Sequence, residues 1–291
     1  MITNYELRRR SRQVIKPNMQ VLLLIALVAS LPGLLANVVT VLSGNSLLSQ
    51  YQQSIDASMT VEELMGMMER YVSSGVWMAM TLSMAQAVLT PVLTLGLINA
   101  FLTLLRGGTV GVATVFSRMR AFGRSILLTL LLTLKIFLWT LPGMAVMILG
   151  AFLGESGFLF AATIGFVLML VLVILAAYRY AMASYFLADV PTTGPRVCIR
   201  RSKEVMRSRK WQLFALELPY LAGNYAIYTL ITLVIPGVIG TTVSLMAQLI
   251  FTVYIEGARC AFFEHYVHPE NALSPAAEKE PVEGEMKDSL H

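Results

Sequence analysis

The chain holds three histidines, and two of them, His265 and His268, stand three residues apart beside Glu264. On one face of a helix, such a pair can hold a zinc ion while a neighbouring carboxylate serves as general base. This pattern falls short of that chemistry: no His-Glu-x-x-His run is present, and the remaining histidine is the final residue, His291. The same scarcity removes a Ser/His/Asp nucleophile set. The run Gly107-Gly108-Thr109-Val110-Gly111 lacks the Lys-Ser/Thr that completes a phosphate cradle. Cys198 and Cys260 have no Cys-x-x-Cys context and read as packing or surface thiols. The sequence therefore predicts no catalytic residues, no metal and no cofactor, and a protein that is not an enzyme.

What remains is charge in apolar surroundings. Lys135, Arg179, Glu217, Glu256 and Arg259 lie inside long hydrophobic runs, with Gln86, Asn99, Asn224 and Gln248 as uncharged companions. A charged side chain in lipid costs about 2.5–3.5 kcal/mol even on lenient scales, so these groups must face one another, a cavity or the interface. Two readings stay open. The five charges line a polar path or pocket, or they form ion pairs within a bundle and snorkel to the nearer interface. Glu256 and Arg259 share a helix face at a spacing of three residues, which leaves Glu217 as the expected partner of Arg179 or Lys135.

The elements that carry these residues follow from composition. With 291 residues, 56% hydrophobic and only 13% charged, and a mean hydropathy of +0.69, the chain reads as a polytopic membrane protein. Apolar runs long enough to cross a bilayer, about 20 residues each, lie near 19–42, 76–105, 125–150, 158–187, 212–235 and 238–263. The expected fold is all-α: a helical bundle of about six transmembrane helices with basic amphipathic helices at the interface. Three parts are expected: an amphipathic segment at 1–18, a membrane domain at 19–267 and a disordered acidic tail at 268–291.

Charge sets the orientation. Arg8, Arg9, Arg10, Arg12 and Lys16 precede the first run, which is too long for a signal peptide and lacks a small-residue cleavage pattern. The loop at 106–124 adds Arg106, Arg118, Arg120 and Arg124, and the loop at 188–211 adds Arg196, Arg200, Arg201, Lys203, Arg207, Arg209 and Lys210. The loop at 43–74 is acidic, with Asp56, Glu62, Glu63 and Glu69 against Arg70. By the positive-inside rule both termini are cytoplasmic. The net charge of +5 is thus local to inner loops, which argues against nucleic acid. Arg8, Arg9, Arg10, Arg12, Arg200, Arg201 and Arg207 are candidate contacts for anionic headgroups at the cytoplasmic face.

Finer features follow. Residues 5–16 read as an interfacial amphipathic helix with Leu7, Val14 and Ile15 toward the bilayer. Val61–Tyr71 reads as a short outer surface helix, capped by Thr60 and Glu63. Gly154–Gly157 reads as a tight outer turn. Leu-Pro-Gly at 31–33 and at 141–143 and Ile-Pro-Gly at 235–237 raise the idea of three repeated hairpins.

The stretches FLWTLPG, YRYAMASYFLAD, RRSKEVMRSRKWQLFALELPY, IPGVIG and YIEGARCAFFEHYV together resemble a family of bacterial, mainly Gram-positive, integral-membrane proteins carrying a domain of unknown function. The likeness covers roughly 115–266 and, more loosely, the N-terminal helix. Ser208, Pro219 and Phe263 depart from that family's usual glycine, serine and tyrosine. A more distant likeness is to the membrane region joined to some glycerophosphodiester phosphodiesterases. The resemblance implies a six-helix protein of the bacterial plasma membrane and transfers no activity.

Two functions are therefore carried forward. One is a membrane scaffold or accessory factor that contacts lipid, a protein partner or a second copy of the chain. The other is a transporter or lipid-handling protein that uses the buried charges.

Overall fold

The computed structural model describes residues 3–54, 61–150, 152, 154–235 and 238–269. Among them every regular element is a helix. The elements are α1 (Asn4–Ile15), α2 (Met19–Ser54), α3 (Val61–Leu105), α4 (Phe122–Gly150), α5 (Gly154–Tyr180), α6 (Ala183–Asp189), α7 (Pro195–Val205), α8 (Lys210–Val234) and α9 (Val238–Val267). A short 3₁₀ turn joins α1 to α2, and a longer 3₁₀ segment, Val112–Ala121, leads into α4.

Five helical stretches are long and apolar enough to cross a membrane: Asn4–Ala36, Met80–Leu105, Val112–Gly150, Gly157–Asp189 and Thr242–Val267. The chain is a multi-pass membrane protein. Of the six runs read from the sequence, α8 is the one outside that set. Its 25 residues suffice in length, but Pro219, Tyr220, Gly223, Asn224, Tyr225 and Tyr228 dilute its hydropathy. It packs on α9, as α2 packs on α3 and α4 on α5, so the helices pair as three hairpins.

The structure differs from the sequence reading in three places. The segment 43–74, expected as a loop, is helical up to Ser54 and again from Val61. Val61–Tyr71 is the first part of α3, because Ser73, Ser74 and Gly75 are weak helix formers but do not stop propagation. With 45 residues at about 1.5 Å each, α3 is roughly 68 Å long, about twice the hydrocarbon thickness. Residues 55–60, with Asp56 and the cap residue Thr60, lie outside the described residues, as does the tail from 270. The turn expected at Gly154–Gly157 falls earlier, since α4 ends at Gly150 and α5 already starts at Gly154.

The third difference concerns α1. Thr3 and Glu6 cap it reciprocally, with Thr3 N–H donating to Glu6 Oε2 at 2.8 Å. Its buried residues, Leu7, Ser11 and Ile15, face α9 instead of lipid. Gly257 makes this approach feasible: a Cβ there would lie 2.5 Å from Ile15 Cδ1 and 2.9 Å from Ser11 Oγ. The apolar stripe read as membrane-facing is consumed by the protein's own core.

That core gathers at one end of the bundle. Leu7, Phe101, Leu187, Ile199, Met206, Leu213, Phe262 and Phe263 are all buried there, joining α1, α6 and α7 to the ends of α3, α8 and α9. The α3 end is closed by Gly107 at φ 81°. Its N–H donates to Leu104 O at 3.0 Å, and that of Gly108 to Thr103 O at 2.9 Å. This is the paired arrangement that ends a helix on a left-handed glycine.

By contrast, α4 and α5 pack chiefly on each other and present Leu130, Phe137, Leu138, Leu159, Phe160 and Phe166 outward. Such a surface requires lipid. Small residues bring the pair together: a Cβ on Gly165 would lie 2.8 Å from Gly143 O and 2.5 Å from Met147 Cγ. Gly165→Leu should therefore prise this hairpin apart, and we expect a drop in folded yield and in the detergent melting temperature. Overpacking of this kind costs about 1–3 kcal/mol.

Candidate functional site

Arg259 on α9 is the centre of the intramembrane charge. Its Nε donates to Glu217 Oε1 at 2.7 Å and its Nη2 to Glu217 Oε2 at 3.0 Å, a two-point clasp between α9 and α8. Its Nη1 reaches Glu256 Oε1 at 3.2 Å, one turn back on α9. Tyr178 on α5 donates to Glu217 Oε2 at 3.0 Å, and Tyr185 on α6 donates to Glu256 Oε2 at 2.5 Å. Glu217 is only 1% exposed. One guanidinium, two carboxylates and two phenols thus tie α5, α6, α8 and α9 together.

The guanidinium fork explains why this works in an apolar setting. It offers five N–H donors in a plane, enough to clasp one carboxylate at two points and still reach a second. Charge-assisted bonds of this sort are roughly twice as strong as neutral ones.

A second knot sits where α3, α6 and α9 end. Arg106 donates to Glu264 through Nε at 2.9 Å and Nη2 at 3.0 Å, and Nη2 also lies 2.9 Å from Asp189 Oδ1. His268 Nε2 lies 3.0 Å from Asp189 Oδ2. The hydrogen bonds to Glu264 and Asp189 raise the Arg106 pKa further, outweighing the cost of its partial burial. Nearby, Arg118 donates to Asn99 Oδ1 at 2.6 Å, and Asn99 donates in turn to Ser117.

Of the five intramembrane charges read from sequence, the structure brings together Glu217, Glu256 and Arg259. The expected Glu256–Arg259 pairing is present. The expected partner of Glu217 was wrong: neither Arg179 nor Lys135 bonds to it, because the Arg259 fork serves both carboxylates. Arg179 lies 5.9 Å from the Trp139 ring centroid, a cation–π contact. Lys135 is half-buried on α4, apart from the knot. Tyr178, Tyr185 and the Arg106–Asp189–Glu264 set were missed. Asp189 and Arg106 each close an apolar helix, and a lone charge at that position was the available signal.

The headgroup candidates divide. Arg8 is committed inward, with Nη2 donating to Ala215 O at 2.5 Å and Nε to Leu216 O at 3.2 Å. Pro219 has no N–H for the Ala215 carbonyl four residues back, and Arg8 supplies the missing donor. Arg12 lies over the Tyr220 ring at 5.9 Å. Arg9, Arg200, Arg201 and Arg207 are exposed, whereas Arg10 is half-buried. Cys198 and Cys260 are both buried free thiols, and burial pushes the Cys198 thiol up, against the partial offset of Arg201.

Above the Arg259 knot lies a cleft of about 300 Å³ between α2, α3 and α9. Ser30, Gln86, Thr90, Thr94, Gln248 and Thr252 give it polar walls, Leu34, Leu97, Leu245 and Leu249 apolar ones, and Glu256 reaches into it. Gly33 allows the Gln86 amide its position, since a Cβ there would sit 3.2 Å from Gln86 Nε2. A second cavity, of about 490 Å³, shares Gln86, Thr90 and Thr94 and extends to Ser125, Thr129 and Ser184. Spaced by four residues, Gln86, Thr90 and Thr94 form one polar stripe on α3 that borders both spaces.

A family model described as "Protein of unknown function (DUF975)" matches residues 1–268. The chain belongs to the DUF975 family. No curated protein and no solved structure matches it. The match to DUF975 takes in α1 and both arginine knots, a wider span than the stretches in which the likeness is visible by eye.

Two outcomes are expected. Glu217→Ala leaves Arg259 without its clasp at a cost of about 3–5 kcal/mol, read as a lower melting temperature in detergent. Adding Arg179→Ala or Lys135→Ala should restore none of it. Arg8→Ala should cost about 1.5–3 kcal/mol, as loss of a charged hydrogen bond does, but much less in a Pro219→Ala background, where the Ala215 carbonyl regains its helical donor. A double-mutant cycle on melting temperature measures that coupling.

Proposed function

We propose that this DUF975 protein is a non-enzymatic membrane protein that handles a polar solute or lipid headgroup, using the cleft between α2, α3 and α9 as the place of contact. The observation that carries this reading is that cleft itself. At bilayer depth an unpaired polar group costs several kcal/mol, yet neither the Gln86 nor the Gln248 amide has a protein hydrogen-bond partner among the described residues. Water or a polar ligand supplies those bonds. The buried charges support handling over mere bracing because one of them, Glu256, opens into the same space.

The reading as a scaffold or accessory factor is favoured by a different observation. On α7, Cys198, Ile199 and Ser202 face the core, while Arg196, Arg200 and Arg201 stand exposed. Tyr5, Arg8, Arg9, Arg12 and Lys16 border a basic concavity of about 340 Å³ on α1. Both surfaces suit anionic headgroups, with α1 and α7 on the cytoplasmic side of a bacterial plasma membrane, and the two functions are compatible.

Cysteine accessibility tests the proposal. A Gln248→Cys variant in nanodiscs should react with small water-soluble thiol reagents, while the unsubstituted protein, whose thiols are buried, stays unlabelled over the same period. Failure to label the folded variant would remove the cleft as a contact site.

A further inference from the structure

The two arginine knots have the same stoichiometry and different surroundings. Arg106 faces two carboxylates, Asp189 and Glu264, and His268 stands against Asp189 as a fourth, protonatable member. Arg259 also faces two carboxylates, Glu217 and Glu256. Its other polar neighbours are the phenols of Tyr178 and Tyr185, which donate hydrogen bonds but bring no positive charge. No lysine and no other arginine pairs with Glu217 or Glu256 among the described residues. With both carboxylates ionised the knot carries one net negative charge at membrane depth.

That excess sits on the open side. Glu217 takes two bonds from Arg259 and one from Tyr178 and is sealed in protein. Glu256 takes one bond to each oxygen, from Arg259 and Tyr185. A carboxylate has about four acceptor positions, so roughly half of its capacity is unused, and its side chain enters the cleft. An uncompensated buried charge is costly enough to demand a partner.

We infer that the cleft between α2, α3 and α9 binds a small organic ammonium group, whose charge completes the Arg259 knot at Glu256. This inference rests on the proposed use of the cleft and adds the class of ligand. An ammonium group suits the walls, since its three N–H donors can meet Glu256 and the side-chain oxygens of Gln248 and Thr252. A bare metal ion suits them poorly: the space equals roughly ten water volumes, and no group of three or more His, Cys, Asp or Glu residues capable of holding a metal occurs among the described residues. The ammonium can belong to a free amine or to the headgroup of an ethanolamine phospholipid.

Paired methanethiosulfonates of opposite charge test the assignment on Gln248→Cys. Each rate is divided by that reagent's rate with 2-mercaptoethanol, to remove intrinsic reactivity. The 2-aminoethyl reagent should then exceed the 2-sulfonatoethyl reagent by at least about tenfold, the lower end of what a cleft lined by one sign of charge does to encounter rates. Glu256→Gln should bring the ratio close to one. If that variant does not fold, Thr252→Lys, which places an ammonium one turn from Glu256, should do the same.

Protection identifies the source. Slowing by free ethanolamine in detergent assigns a soluble amine, and slowing confined to nanodiscs of phosphatidylethanolamine, absent with phosphatidylcholine, assigns a headgroup. Labelling with a ratio near one in Gln248→Cys, or a high ratio with protection from neither source, overturns the ammonium ligand and leaves the cleft in place. No labelling by either reagent overturns the cleft as well.

Discussion

One guanidinium at bilayer depth constrains this protein more than any other group. Arg259, half-buried on a membrane-spanning helix, is met by Glu217 from α8, and Glu217, fully buried, is satisfied by Arg259 and Tyr178. The direct clasp joins two helices, and the phenols on α5 and α6 extend it to four. In lipid there is little hydrophobic drive between helices, so directional bonds of this kind take over what apolar burial does in water. The half of the bundle that holds the knots is well packed, while α4 and the part of α5 before Tyr178 lean mainly on each other.

The same constraint shapes the cleft. Gln86, Thr90 and Thr94 line it along α3, and it reaches the one carboxylate that Arg259 leaves partly unmet. Polar walls and unmatched charge are thus adjacent results of one arrangement.

Much of the fold was legible in the sequence because lipid demands long apolar runs, and those runs are plain. Helix ends were less so: 43–74 carries the serines, glycines and acids of a loop, yet in most of it the helices simply continue. The site was half legible. Sequence spacing gives neighbours on one helix, such as Glu256 and Arg259, but not which helix lies opposite, so Glu217 was assigned to Arg179 or Lys135. The amphipathic stripe of α1 was visible, but a stripe is the same whether it meets lipid or protein, and only Gly257 on a distant helix decides which.

The seat of α1 has a consequence for the order of assembly. Its partners, Ala215 and Leu216 on α8 and Gly257 on α9, lie some two hundred residues further along the chain. A chain made from its N-terminus at about 5–20 residues per second completes α1 many seconds before that seat exists. In the interval the Leu7–Ile15 face has only the bilayer surface to cover it, and an arginine-rich amphipathic helix is stable there. Synthesis of α1 thus precedes that of α8 and α9 by a long interval, and its docking has to wait for theirs.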